Sequence, residues 1–437
     1  MAMFSLQKIV FFIFCISCFS LLHSQTTGLD VDREIHIMLK EKSSKENRKK
    51  VRQFLRFLNA DKISEAEQIK VYSVLNSFNS RKISFNSGGI LFLEVLLLLD
   101  ESDLSNKILV NLLDFLMLDK KVISNLDIRV FLKKIIHFLN SEILSSSSDF
   151  QWKCVGDFHL DFTSNKTPGL YFTDSQLLLF NAVDTVSLLN VSGHYDILEN
   201  VFYANSARSP FSNDVFSIDF RMESFSLNLN KNFFKIENTS LSSNKIFYGN
   251  SIGVYKNKLS SSSSYPSFMS YSTNHEFEIF EGIKIVGGLE LKGDMAYFNN
   301  SGGRVDFYFK DSQMEYLISS PHFQLSDDKL FCSSAQLCIK NENDSISHPS
   351  VKVTYHDNEK KIIIDRLSGK RGLNPIRNTF HGINIFADRM EIDLVYDECL
   401  LFHYSPADDI SVLFESDTYF DKERYEDLLK FDFTRVT

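Results

Sequence analysis

His348, His356 and His381, with Asp344 and Asp357, are the residues whose types could build a metal site, because imidazole and carboxylate together suit zinc and similar ions. Spacing alone does not bring them together. In a strand His356 faces away from Tyr355, and Pro349 holds His348 extended. Structural histidines are therefore the preferred reading, with His348, His356, His381 and Asp344 kept as candidate ligands. His275-Glu276 opens like a zincin helix, but Ile279 stands where the second histidine is required. The chain contains no GxSxG elbow, phosphate-binding glycine loop or EF-hand loop. Asp327 and Asp328 read as a turn with Ser326 and Lys329. No cofactor is indicated.

The elements that must position these residues are strands. Val351, Val353 and Tyr355 alternate with Lys352, Thr354 and His356, the period of a half-buried strand. Asp357 to Glu359 make a turn, and Lys361 to Asp365 returns as an Ile-rich partner. Similar alternation marks Val305 to Phe309 and Met390 to Tyr396. From Phe216 to Leu229 the apolar phase slips by one residue, which predicts a β-bulge at Glu223–Ser224.

The first third of the chain is built differently. All seven prolines lie at Pro168 or later, and only Tyr72 of the sixteen tyrosines precedes Tyr171. Ser64 and Glu67 form a capping box, and Ile128, Leu132, Ile135, Leu139 and Ile143 recur at helical steps. The run Ile90 to Leu99 is too short to span a membrane and reads as a buried helix. The expected organisation is a leader over 1–24, a small helical bundle over 30–144, a serine-rich linker over 145–150 and a β-rich region over 151–413. A closing segment over 414–437 carries a short helix.

The leader has Lys8 ahead of an apolar run from Ile9 to Leu22, with cleavage expected after Ser24; a lipoprotein centred on Cys18 is the alternative. In an oxidising compartment Cys154, Cys332, Cys338 and Cys399 could pair in three ways or remain free. Cys332 and Cys338 require a turn between them, since an extended run holds them about 20 Å apart. A formal charge of −9 argues against nucleic acid as a partner. The basic run Lys40 to Arg56 is amphipathic, so peripheral membrane association is a reading beside a solvated face. Forty-one phenylalanines fit a filled core, with a groove for acyl chains or sugar rings as the alternative.

Asp184, Thr185, Val186, Ser187, Val191 and Tyr195 match Asp344, Ser345, Ile346, Ser347, Val351 and Tyr355 at identical spacing, which points to a repeated β unit. The expected fold is α then all-β: a small N-terminal helical bundle and an elongated, repetitive antiparallel β region, solenoid or open jelly-roll-like. Tyr265 to Tyr271 (YPSFMSY), Gly287-Gly288, Asp344 to Pro349 (DSISHP) and Asn374 to His381 (NPIRNTFH) follow one another in order. This arrangement resembles a family of large Bacteroidetes cell-envelope proteins, which reads Tyr-Pro-x-Phe-x-Ser-Tyr, a Gly pair, Asp-Ser-Ile-x-His-Pro and Pro-Phe-x-Asn-Ser-Tyr-His. The resemblance covers about Phe216 to Phe431, departs at Ile376 and Phe380, and lacks most of the family's tryptophans. It makes Asp344, Ser345, His348, Pro349, Tyr355, Pro375 and His381 a structural motif, implies export to the periplasm or outer membrane with secretion as the alternative, and makes the closing stretch from Phe414 a link to further domains. More distantly, the β units resemble those of periplasmic lipopolysaccharide-transport proteins. No activity comes with either likeness. The expected role is non-enzymatic, structural or binding a lipid or glycan, with no envelope partner identified. A carbohydrate-active enzyme on a β-helix and a surface adhesin are the alternatives.

Overall fold

The computed structural model describes residues 44–58, 63–101, 106–118, 123–162, 168–213, 217–243, 249–259, 264–300, 302–311, 313–326, 328–366, 374–403 and 412–417. The expected leader and closing helix lie outside them. A small helical part is followed by a large antiparallel β-sheet of 24 strands. Two compact units are distinguished: Met1–Ala207 with Ser224–Asn232, and Arg208–Glu223 with Phe233–Thr437.

The first unit opens with α1 (Lys45–Leu58), α2 (Glu65–Ser80), a π-helical turn (Phe85–Gly89), α3 (Ile90–Glu101), α4 (Asn106–Leu116) and α5 (Asn125–Ser141). Capping boxes start α2 at Ser64/Glu67 and α5 at Ser124/Asp127, each satisfying two otherwise orphaned N–H groups. Helix α1 buries Val51, Phe54, Phe57 and Leu58 while Arg48, Lys49 and Arg52 stay exposed. Helix α3 is the buried helix expected from Ile90 to Leu99. Among the described residues no helix is long and apolar enough to cross a membrane.

Strands β1 (Ile143–Ser146), β2 (Gln151–Val155), β3 (Phe158–Asp161), β4 (Gly169–Phe180) and β5 (Thr185–Asp196) follow. The expected linker over 145–150 is the end of β1 and the turn of a hairpin: Ser145 pairs with Trp152 and Ser146 with Gln151. Small polar residues suit a tight turn as well as a tether. Phe115 and Phe131 pack on Phe162, and Phe138 on Phe158 and Phe172, so aromatic contacts seal the helices onto the first strands.

Strands β6 (Val201–Ser212) and β7 (Ser217–Asn228) contain the division between units. Along β7, Ile218, Phe220 and Met222 are buried, then Leu227, and Ser224 adopts φ +50°. The expected slip at Glu223–Ser224 is present.

The second unit continues with β8 (Phe233–Ser243), β9 (Gly249–Lys258), β10 (Ser267–Ser270), β11 (His275–Phe280), β12 (Ile283–Lys292), β13 (Met295–Asn299), β14 (Val305–Lys310), β15 (Glu315–Ser320), β16 (His322–Ser326), β17 (Lys329–Lys340) and β18 (Ser345–His356). It closes with β19 (Lys361–Arg366), β20 (Ile376–Asn378), β21 (Ile383–Phe386), β22 (Arg389–Asp393), β23 (Glu398–Phe402) and β24 (Leu413–Ser416). Long strands face pairs of short ones. β17 pairs along its two halves with β15 and β16, and β18 with β19 and β20. Then β22 adds to β19 and β21 to β20, and last β23 adds to β22 and β24 to β21.

The β4–β5 and β17–β18 hairpins share one register, displaced by 160 residues: Gly169↔Asp196 becomes Lys329↔His356, Ser175↔Val191 becomes Ala335↔Val351, and Phe180↔Thr185 becomes Lys340↔Ser345. Both carry register shifts on either side of the buried Ser175 or Ala335, and β8–β9 shifts similarly before the buried Thr239. Each time two exposed residues stand against one on the partner strand, a bulge of one extra residue: Thr173–Asp174, Ser333–Ser334 and Glu237–Asn238. The entering turns match too, with Asn181 N–H donating to Asp184 O and Asn341 N–H to Asp344 O, both at 3.0 Å. So do the exits: Asn200 and Lys360 take φ +60° and +49°, and each carbonyl accepts an N–H at 3.0 Å, from Leu229 and Leu394 respectively.

The strand expected from Met390 to Tyr396 stops at Asp393, whose Oδ1 accepts the N–H groups of Val395 and Tyr396 and folds them into a turn. Cys332 and Cys338 lie along the single strand β17, because Ser333–Ser334 bulges without reversing direction; Cys154, Cys332, Cys338 and Cys399 are all free. Burial pushes the Cys332 thiol up to about 11.

Candidate functional site

The sequence motif sits in the second unit and works as a set of ties. Asp344 N–H donates to Asn341 Oδ1 at 3.1 Å, and Asp344 Oδ1 accepts from Thr379 Oγ1 at 3.0 Å. Ser345 N–H donates to the same hydroxyl at 2.8 Å. His348 is 5% exposed; its Nδ1 accepts Ser350 N–H at 3.1 Å, so Nε2 carries the proton and donates to Asn374 O at 2.8 Å. Pro349 falls where the β17–β18 register is irregular, so its missing N–H breaks no rung there. Pro375 immediately precedes β20, and Tyr355 is fully buried with its hydroxyl donating to Asp357 Oδ1 at 2.9 Å.

The structure does not bring the candidate ligands His348, His356, His381 and Asp344 together as a group. Both nitrogens of His348 are engaged, His356 ends β18 opposite Lys329 and Lys361, and His381 is exposed in the turn after β20. Among the described residues no group of three or more His, Cys, Asp or Glu side chains could hold an ion. Burial, reinforced by nearby Arg366 and opposed by the Asn374 bond, holds His348 below its usual value near 6.5. The unfolded chain therefore takes up a proton that the folded one resists, and stability should fall as pH drops below that value. Urea midpoints measured from about pH 7.5 to about pH 5 should decline more steeply for the native chain than for His348→Asn, which keeps an acceptor for Ser350. Equal slopes would refute the assignment.

The last rung of the second unit is unusual. Among the described residues β23 pairs only with β22 and β24 only with β21. Both expose apolar side chains: Leu400 is 53% exposed, Leu413 50% and Phe414 52%. Asp397, Glu398, Glu415 and Asp417 are exposed beside them. Close by, Asp388 Oδ2 lies 2.5 Å from His403 Nδ1 and Asp388 Oδ1 3.6 Å from Arg366 Nη2, while Arg366 Nε and Nη1 are buried without a hydrogen-bond partner among the described residues.

A separate cleft of about 680 Å³ opens in the first unit between α5 and the turns after β5 and β7. Asn200 is its hub. Its Oδ1 accepts from Tyr195 OH at 2.6 Å and Lys134 Nζ at 3.0 Å, and its Nδ2 donates to Asn230 Oδ1 at 2.7 Å and Ser145 Oγ at 3.0 Å. Lys134 Nζ also donates to Ile197 O at 2.7 Å, and burial, opposed by Asp196, pushes this amine down to about 8. Glu199 lines the cleft and accepts from Tyr203 OH at 2.7 Å. Tyr203 ends a ladder of stacked rings, His159, Tyr171, His194 and Tyr203, with centroids 5.0, 5.2 and 5.0 Å apart.

No family model, curated protein or solved structure matches this chain. The polar cleft escaped sequence reading because Lys134, Asn200 and Asn230 are distant in sequence and none belongs to a motif. The ladder had a faint signal: Tyr171, His194 and Tyr203 each occupy an outward position beside a buried aromatic or small residue.

Proposed function

We propose that this chain is an exported, non-enzymatic cell-envelope protein: a scaffold of repeated β units that joins another envelope component by strand addition at its last rung. The observation that carries the reading is the pair β23 and β24, apolar, exposed and without outer strands among the described residues. An open edge of this kind is a template for another strand, and natural proteins usually blunt such edges with charge or cover. Earlier in the sheet the comparable pair β15 and β16 is covered by the twelve-residue β17. The occupant that fits is therefore a long antiparallel strand of a different protein, with basic residues flanking it to meet Asp397, Glu398, Glu415 and Asp417. A second copy would place acid against acid. The matched hairpins support the repeat, and the likeness to Bacteroidetes envelope proteins supports the compartment.

The test uses the mature chain produced in its own cells. Leu400→Lys and Leu413→Lys add charge at exposed positions and should leave folding intact, while releasing the protein from a washed envelope fraction that retains the native chain. Retention of both variants, or a native chain that never associates with envelopes, would overturn the proposal.

A further inference from the structure

We infer that the cleft beside α5 binds an anionic sugar, carrying a phosphate or carboxylate, with Lys133 and Lys134 on the acid group and Glu199 and Asn230 on the hydroxyls. The inference is independent of the strand-addition reading and concerns the other unit. It begins with what lines the space. Lys133 and His137 come from successive turns of one helix, with Lys134 next to Lys133, and the opposing wall is Glu199, Asn200 and Asn230, so two lysines face a carboxylate and amides. Leu144 and Leu198 supply the small apolar part, too little for an acyl chain.

The Lys134 ammonium has three N–H groups, and two are taken by Ile197 O and Asn200 Oδ1. These bonds, with the Tyr195 ring 5.7 Å away, fix the amine so that its remaining N–H can meet a ligand without further ordering. Lys133 is exposed one residue earlier and adds a second positive charge. A lone anion would satisfy the lysines but would leave Glu199 facing like charge. A hydroxylated ligand resolves this, since sugar hydroxyls donate to Glu199 Oε and to Asn230 Oδ1 while accepting from amide N–H groups. Glu199 is already held by Tyr203 OH, whose 37% exposed ring leads from the cleft onto the stacked ladder.

Calorimetric titration of the full mature chain distinguishes the sources of this chemistry. Glucose 6-phosphate and glucuronate are expected to bind, with glucose and inorganic phosphate each weaker. Phosphatidylcholine vesicles doped with phosphatidylglycerol should bind no better than undoped ones if the ligand is a free sugar; preference for the doped vesicles over glucose 6-phosphate would overturn the sugar assignment. Lys133→Gln, an exposed change that should not disturb folding, is expected to weaken glucose 6-phosphate about tenfold, as loss of a charge-assisted contact does. Asn230→Asp should weaken it as well, by adding repulsion. No binding by either anionic sugar, or binding unaffected by Lys133→Gln, would refute the site.

Discussion

Replacing Asn200 with valine is expected to destabilise the first unit by about 2–5 kcal/mol. Two effects combine. Asn200 sits at φ +60°, where a β-branched residue is strained by about 1–2 kcal/mol. Its amide also serves Tyr195 OH, Lys134, Ser145 and Asn230, and a buried group left unpaired costs about 1–3 kcal/mol. Asn200→Gly separates the two, because it keeps the left-handed turn while deleting the amide. Trp152, the single tryptophan, is 1% exposed and donates to Lys231 O within the same unit, so its fluorescence in urea reports the transition. A valine variant within about 1 kcal/mol of the native chain would show that the hub does not hold the unit.

Tyr355→Ala should have an effect of similar size in the second unit. Tyr355 is fully buried, with Phe280, Phe307 and Phe309 at ring-centroid distances of 5.6, 5.8 and 6.4 Å. Emptying that space should cost about 3–5 kcal/mol, since the neighbouring strands cannot collapse into it. Tyr355→Phe removes only the hydroxyl to Asp357 and should cost about 1 kcal/mol. Labelling of the buried Cys332 thiol, followed peptide by peptide in urea, measures both, because Cys332 lies in the paired strand. If alanine and phenylalanine behaved alike, the ring would not be a core element.

The switch from helix to strand was readable because the two hide side chains at different intervals, but its position was not: Ile143, which continues the helical steps in sequence, opens β1. Ser64 and Glu67 announced a helix start, and Asp184 and Asp344 announced hairpins of the same register. The slip at Glu223–Ser224 was legible for the same reason, since a bulge leaves a phase error in the apolar pattern. Met390 to Tyr396 misled, because alternation continued through a turn that Asp393 closes with its side chain. His348 could be placed but not interpreted: its two partners, Ser350 N–H and Asn374 O, are backbone groups whose positions only the fold supplies. The cleft was invisible for a related reason, since its members meet through tertiary packing.

Amide hydrogen exchange on β23 and β24 tests the central claim most directly, comparing the purified chain with the chain held in isolated envelopes. Strand addition predicts fast exchange at Glu398–Phe402 and Leu413–Ser416 in the purified protein and marked protection in envelopes, with the β17–β18 hairpin slow in both. Identical, rapid exchange of the two edge strands in both preparations would contradict it.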